Sequence, residues 1–225
     1  MSIVESEIEP LRAGDKLSRE EFLRRWEAMP QVKRAELIGG IVYMPSPLSI
    51  DHGQAHVKIA HWISHYAMFT PGCDVGDNVT LFMLEDAPQS DVFLRIREKH
   101  GGSSWVEDKY LHGEPELLAE VCLSSSSYDL HQKKELYLAG GVKEYLAVLV
   151  KEQEVRWHRL VANGYQLLPS SRERIIHSVA FPGLWLDVPA LLSGNMLKVI
   201  ETLERGLQSS EHAEFVNQLK SRCQA

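Results

Sequence analysis

Glu120 stands inside the run Leu117-Leu118-Ala119-Glu120-Val121-Cys122-Leu123, in which every other residue is apolar. A carboxylate in a strand buried on both faces is costly unless a proton or a cation compensates it. Two readings follow. Glu120 is a strand-end acid that reaches solvent or pairs with an arginine, or it marks a metal or proton site at the centre of a sheet. Asp91 is similar in kind: it opens the run Asp-Val-Phe-Leu-Arg-Ile directly after Ala87-Pro88-Gln89-Ser90. Alone it reads as a turn cap, a common use of aspartate. With Glu120 on a second short strand, it supplies two carboxylates that could converge on one hard cation. Magnesium favours that arrangement, with its remaining positions left to water and phosphate.

Lys133 is the third element. On a helix of 3.6 residues per turn, Leu130, Leu136 and Tyr137 fall at about 60°, −60° and 40° from it, whereas Lys134 points about 100° away. Lys133 is thus centred on an apolar face, where a lysine either snorkels past the core edge or pairs with a buried acid. The nearest suitable acid in chain order is Glu120. Glu36, at the start of Glu-Leu-Ile-Gly-Gly-Ile-Val-Tyr-Met, is a further acid that reads equally as a solvent-facing strand residue.

Other chemistries find less support. His52, His56, His61 and His65 form two i, i+4 pairs on one helix, but the pairs lie about 180° apart. His61 and His65 oppose the apolar stripe and read as solvated, while His52 and His56 border it. No HExxH glutamate accompanies either pair, which argues against zinc. The chain also lacks a GxSxG elbow, a Walker loop and a GxGxxG turn. The serines from Ser124 to Ser127 read as a polar strand-to-helix loop.

The elements that must position these residues are legible from periodicity. Residues 1 to 17 are polar and read as a loose arm. Ser18 caps a short helix that stops near Pro30, and Ala35 to Met44 reads as a hairpin turning at Gly39-Gly40. A helix runs from about Asp51 to Phe69, with Ala55, Ile59, Trp62, Ile63 and Tyr66 on one face. Val75 to Leu84 and Asp91 to Ile96 read as strands, and His100 to Ser104 as loop. Glu116 to Leu123 and Tyr145 to Val150 are near-continuous apolar runs, as in strands covered on both faces. Between them a helix spans about Asp129 to Ala139, with Asp129 as N-cap and Gly140-Gly141 as stop. Val155 to Leu160 and Tyr165 to Leu168 form a hairpin around Asn163-Gly164. The pattern is α/β with a mixed sheet and a helical tail.

Composition excludes several classes. The chain has 225 residues, 44% hydrophobic and 24% charged, which is the balance of a protein with a sizeable core. Its formal charge of −7 argues against holding nucleic acid through a broad basic surface. A local groove made by Lys133, Lys134, Lys143, Arg95, Arg97 and Lys99 stays open. Cys73, Cys122 and Cys223 lack a CxxC pair and read as reduced thiols. The acidic start MSIVESEIEP does not read as a signal peptide, and the longest apolar runs are strand-length. A cytoplasmic protein with no membrane role is expected.

These residues together spell a known pattern. ELIGGIVYMPSP followed by His52-Gly53, then QSDVFLRI, then PELLAEVCLSSSSYDLHQKKELYLAGGVKEYL closely resembles the Uma2 family of restriction-endonuclease-like proteins. The tail FPGLWLDVPALL with SEHAEFV resembles the C-terminal extension of one branch of it. The resemblance implies the PD-(D/E)XK nuclease fold: a mixed central sheet flanked by helices. Covering roughly residues 15 to 220, the resemblance joins the pattern read above in dividing the chain into an arm (1–17), a nuclease-like domain (18–180) and a helical extension packed on the core (181–225). It further implies Asp91 as the acid of the PD element, Glu120 as the second acid, and Lys133 as the lysine, moved from its usual strand position onto the helix. Glu36 becomes an auxiliary metal or water ligand. Asp91, Glu120 and the main-chain carbonyl of Val121 would hold Mg²⁺, with Mn²⁺ as the second candidate.

The chain departs from that pattern twice. Ser90 replaces the proline before the aspartate, and Cys122 stands where the standard motif has its lysine. Activity would therefore depend on Lys133 reaching the site from the helix. The implied function is Mg²⁺-dependent hydrolysis of DNA phosphodiester bonds, with a homodimer as a candidate assembly. The alternatives are a catalytically silent module of the same fold that binds nucleic acid or protein, and a purely structural ion-pair cluster.

Overall fold

The computed structural model describes residues 8–44, 49–123 and 129–223, with side chains omitted at 129 and 130. Helix α1 (Arg19–Glu27) begins where the Ser18 side chain accepts the Glu21 N–H, and it carries acids in its first turn and arginines in its last. Strands β1 (Glu36–Ile38) and β2 (Ile41–Tyr43) form a hairpin. Its turn places Gly39 and Gly40 at φ 61° and 72°, a left-handed pair that glycine adopts without strain. Helix α2 (Ile50–Met68) lays Ile59, Trp62, Ile63 and Tyr66 on the core. Then come β3 (Cys73–Phe82), β4 (Gln89–Ile96), β5 (Ser104–Glu107), β6 (Tyr110–Gly113) and β7 (Leu117–Cys122). A π-helical turn (Asp129–Lys133) leads into α3 (Lys134–Gly140), which ends on Gly141 in the left-handed region. The chain continues through β8 (Glu144–Leu149), β9 (Glu154–Val161), β10 (Gly164–Leu167), β11 (Ile175–His177) and β12 (Trp185–Asp187). It ends with α4 (Val188–Leu192), α5 (Met196–Leu207) and α6 (Ser210–Cys223).

Among the described residues, eight strands form one sheet in the order β10-β9-β8-β7-β4-β3-β6-β5. The β7–β8 and β3–β6 pairs are parallel and the others antiparallel, so the sheet is mixed, as the alternation of elements in the sequence requires. β7 and β8 are buried at all six positions, because α2 covers one face and α3 the other. On the α2 face, Trp62, Val92, Leu146 and Trp157 share a core with Phe181, Leu184, Val199, Leu203 and Phe215 from the C-terminal segment. On the other face, Leu136 and Tyr137 of α3 pack on Leu118, Tyr145 and Ala147.

Four details depart from the sequence reading. Residues 8–17 are not a loose arm: Leu11 is buried, and Gly14 and Leu17 donate to the carbonyls of Val42 and Gly40 at 2.8 Å each, so the segment runs along β2. The β5–β6 hairpin goes unforeseen because Asp108 and Lys109 both take positive φ (46° and 69°) with no glycine to announce the turn. The β11–β12 hairpin is likewise hidden in the stretch before the helical tail. His65 is half-buried near Glu204 of α5 rather than solvated, since the C-terminal helices cover a side of α2 that periodicity alone assigns to water. The Ser124 to Ser127 loop and the side chain of Asp129 lie outside the described residues.

Candidate active site

The site forms where β4 and β7 part. Their antiparallel ladder ends at Val92↔Ala119, so Asp91 and Glu120 come next, facing each other across the opening. Two consequences follow from sheet geometry. The Val121 N–H loses its strand partner, and the Asp91 carboxylate replaces it, accepting that proton through Oδ2 at 2.7 Å. Glu120, 1% exposed, finds its partners on α3: Tyr137 donates its hydroxyl to Oε1 at 2.6 Å, and the Lys133 ammonium donates to Oε2 at 3.2 Å. Lys133 and Tyr137 are one helical turn apart and share a face, as expected at i, i+4.

Glu36 arrives from a distant part of the chain. The Asp86 carboxylate accepts the N–H groups of Gly39 and Gly40 at 2.8 and 3.1 Å, and Leu37 exchanges main-chain bonds with Ala87. This clamps the β1–β2 hairpin onto the turn before β4. Glu36 Oε1 then accepts the Gln89 N–H at 2.6 Å and lies 2.9 Å from Lys133 Nζ, while Lys133 also donates to the Gln89 carbonyl at 2.7 Å. The main chain of Gln89 therefore registers both Glu36 and Lys133. From the opposite side, α2 contributes His52, whose Nε2 is 3.5 Å from Asp91 Oδ2, and His56, whose Nε2 is 3.0 Å from the Asp91 carbonyl.

The structure thus joins Glu36, Glu120 and Lys133 directly. Asp91 is tied to the group through Val121 and feels Lys133 as a charge. Burial pushes the Asp91 carboxyl up, but His52, Lys133 and the Val121 N–H together outweigh it and hold it below the usual aspartate range. Lys133 is 3% exposed, as its helical position foretold, and Lys134 points elsewhere, to His158. Sequence reasoning passed over Tyr137, His52, His56 and the main chain of Gln89. Tyr137 was findable as the i+4 neighbour of Lys133, and the histidines as the pair bordering the apolar stripe. Nothing local reveals Gln89, because main-chain atoms have no sequence signature. The anticipated basic groove forms only in part. Arg95 and Arg97 both bind Asp74, Lys143 binds Glu116, and Lys133 is consumed in the site.

Three carboxylates confronting one ammonium leave a buried site with a deficit of positive charge. Its donors are hard oxygens, the kind a Mg²⁺ ion takes. Both described side-chain contacts of Asp91 use Oδ2, which keeps Oδ1 available as an acceptor. Among the described residues no three acid, histidine or cysteine side chains are already gathered tightly enough to hold a metal, because the Lys133 amine stands between Glu36 and Glu120. Donor chemistry and charge therefore fit a divalent cation at the Asp91–Glu120 opening, beside the lysine. No described helix is long and apolar enough to cross a membrane.

Among solved structures, the chain is similar to one described as the crystal structure of "a putative nuclease belonging to DUF820" from Anabaena variabilis ATCC 29413. The TM-score is 0.60 at 15% identity, over 79% of this chain and 98% of that one, a likeness of fold. No curated protein matches. The sequence profile of Uma2, described as "Putative restriction endonuclease", matches residues 19–189, which span the whole site from Glu36 to Lys133. With most of its length matched in this way, the chain belongs to the Uma2 family.

Proposed function

We propose that this protein is a metal-dependent nuclease that hydrolyses DNA phosphodiester bonds. The observation that carries the reading is the buried Lys133 ammonium bound by Glu36 and Glu120, at the point where two strands open to place Asp91 opposite Glu120. Buried charges of this density are expensive to a fold that needs them only for stability.

Asp91, Glu120 and the main-chain carbonyl of Val121 are the groups that would hold Mg²⁺, which when bound supplies a Lewis acid and a water of lowered pKa. The protein's own residues do the rest. Lys133 spends its three N–H bonds on Glu36, Glu120 and the Gln89 carbonyl, so it acts through its charge: it holds the two carboxylates in place and offsets negative charge developing on the phosphate. Glu36 holds the lysine from the far side. Tyr137 fixes the Glu120 carboxylate in one rotamer, and His52 does the same for Asp91 from α2.

The test is cleavage of supercoiled plasmid and of single-stranded DNA with Mg²⁺, Mn²⁺ or EDTA. Wild type would run beside Asp91→Ala and Lys133→Ala. Expected is metal-dependent cleavage that disappears in EDTA and falls by about 10²- to 10⁴-fold in each variant. The same ammonium between two acids is also what a closed ion-pair cluster would look like, so a silent binding module is the competing reading. No cleavage with any metal, together with no metal-induced rise in melting temperature, would transfer the assignment to that module.

A further inference from the structure

The sheet face that carries Glu120 continues sideways into a second group of charged side chains. In register, Glu120 pairs with Ala147 on β8, and Ala147 pairs with Arg156 on β9. Paired residues point to the same face and adjacent strands lie about 4.8 Å apart. The Arg156 backbone is therefore about 10 Å from that of Glu120, and the Ala147 between them lies under helix α3, so the two groups flank that helix. Two residues along the strands, and so on the same face, the row Leu118, Tyr145, His158 runs parallel to it. Helix α3 brings Lys134 down on this second group, with Nζ 3.2 Å from His158 Nε2. Lys134, Arg156 and His158, with His131, line a pocket of about 410 Å³.

The positive charge of this pocket is relieved at Arg156, by Glu154 and Glu152, but not at Lys134. Among the described residues Lys134 makes no ion pair. Its neighbours are an imidazole and a guanidinium, and burial followed by the Arg156 charge pushes its ammonium below the usual lysine range. Burial and then the Lys134 charge push His158 down to about 4. Arg156 is gripped by Glu154 through two bonds of 2.9 Å, and Glu135 stands exposed on the pocket wall, so the uncompensated charge is centred on Lys134. An anion entering between Lys134, His158 and Arg156 would relieve that repulsion. A recess offering an ammonium and a guanidinium matches the oxygens of a phosphoryl group, while the neutral His158 imidazole accepts from Lys134 and seats it.

Resting on the nuclease reading above, we propose that Lys134 and Arg156, with His158 seating the lysine, form a phosphate subsite that holds a backbone phosphate of the nucleic-acid substrate neighbouring the one cleaved at Glu120. The subsite accounts for how a chain of net charge −7 grips a polyanion: a few cations are set in one recess beside the site rather than spread over the surface.

The experiment measures binding of fluorescein-labelled single strand and duplex by anisotropy, in EDTA so that nothing is cut, across a series of salt concentrations. Wild type would be compared with Lys134→Gln, Arg156→Gln and, as a control, exposed Lys151→Gln, with melting temperatures taken in parallel. Expected is weaker binding, and a slope of log K against log salt reduced by about 0.7 to 0.9 for each contact removed, in the first two variants only. A wild-type slope retained in both Lys134→Gln and Arg156→Gln overturns the subsite while leaving the nuclease reading intact, because the cleavage assay judges that separately. An equal loss in Lys151→Gln also overturns it, since the effect would then be one of net charge. Wild type that binds neither oligonucleotide at low salt overturns the subsite as well, whatever the cleavage assay shows.

Discussion

Two glutamates on neighbouring parallel strands, Glu120 on β7 and Glu144 on β8, are each 1% exposed, yet they do opposite things. Glu144 accepts from the indole of Trp157, the hydroxyl of Ser178 and the main-chain N–H groups of Val179 and Ala180, at 2.7 to 3.0 Å. All four donors are neutral and held rigidly, and two belong to the backbone. The carboxylate works as a latch that fastens the segment leading into Phe181 onto the sheet. Glu120 is held by a tyrosine hydroxyl and a lysine, beside an opening in the sheet and facing further acids. Burial of an acid therefore does not mark a reactive site. Nor does a charged partner, since buried Glu116 pairs with Lys143; what sets Glu120 apart is that Glu36 shares its lysine and Asp91 faces it across a gap in the sheet.

The largest effect separates the two by function. Glu120→Gln should lower cleavage by about 10²- to 10⁴-fold with little change in melting temperature. Glu144→Ala should do the reverse. It strands four donors and removes about 3 kcal/mol of stability, or about 6 to 12 °C in melting temperature, while specific activity measured well below the transition is kept. Calorimetry beside the plasmid assay checks both, and a Glu144→Ala protein as stable as wild type would break the comparison.

The next effect concerns pH, where the two regions should move in opposite directions. Burial raises the Glu144 carboxyl despite its four donors. Its contribution relative to Glu144→Gln should be full below 4.5 and decline as pH rises through the raised folded value. Asp91 is lowered below 3.8, so its contribution relative to Asp91→Asn should be present above 3.8 and vanish as pH falls through the lowered folded value. Urea unfolding of wild type and both variants from pH 3 to 8 reads the two slopes; slopes of the same sign would contradict the assignment. The smallest effect is that of Tyr137→Phe. It deletes one hydrogen bond to a carboxylate and should cost about 1 to 2 kcal/mol of stability and about tenfold or less in cleavage. A loss as deep as that of Lys133→Ala would place the hydroxyl among the reacting groups.

The sequence by itself determined the alternation of elements and the burial of β7 and β8. It also determined that Lys133 rather than Lys134 faces the core, because hydrophobic period and helical angle are local quantities. It marked Asp91, Glu120 and Glu36 by their place in the pattern. Only the tertiary structure decided that β4 and β7 part at Asp91 and Glu120, and that the β1–β2 hairpin is clamped by Asp86 to deliver Glu36 to Lys133. It alone placed His52 and His56 over Asp91, and turned Glu144 into a latch rather than a second site. Each of these depends on main-chain donors and on contacts between residues dozens of positions apart. Such groups leave no trace in residue type or spacing, because every residue carries the same N–H and carbonyl, and only the fold decides which of them go unpaired.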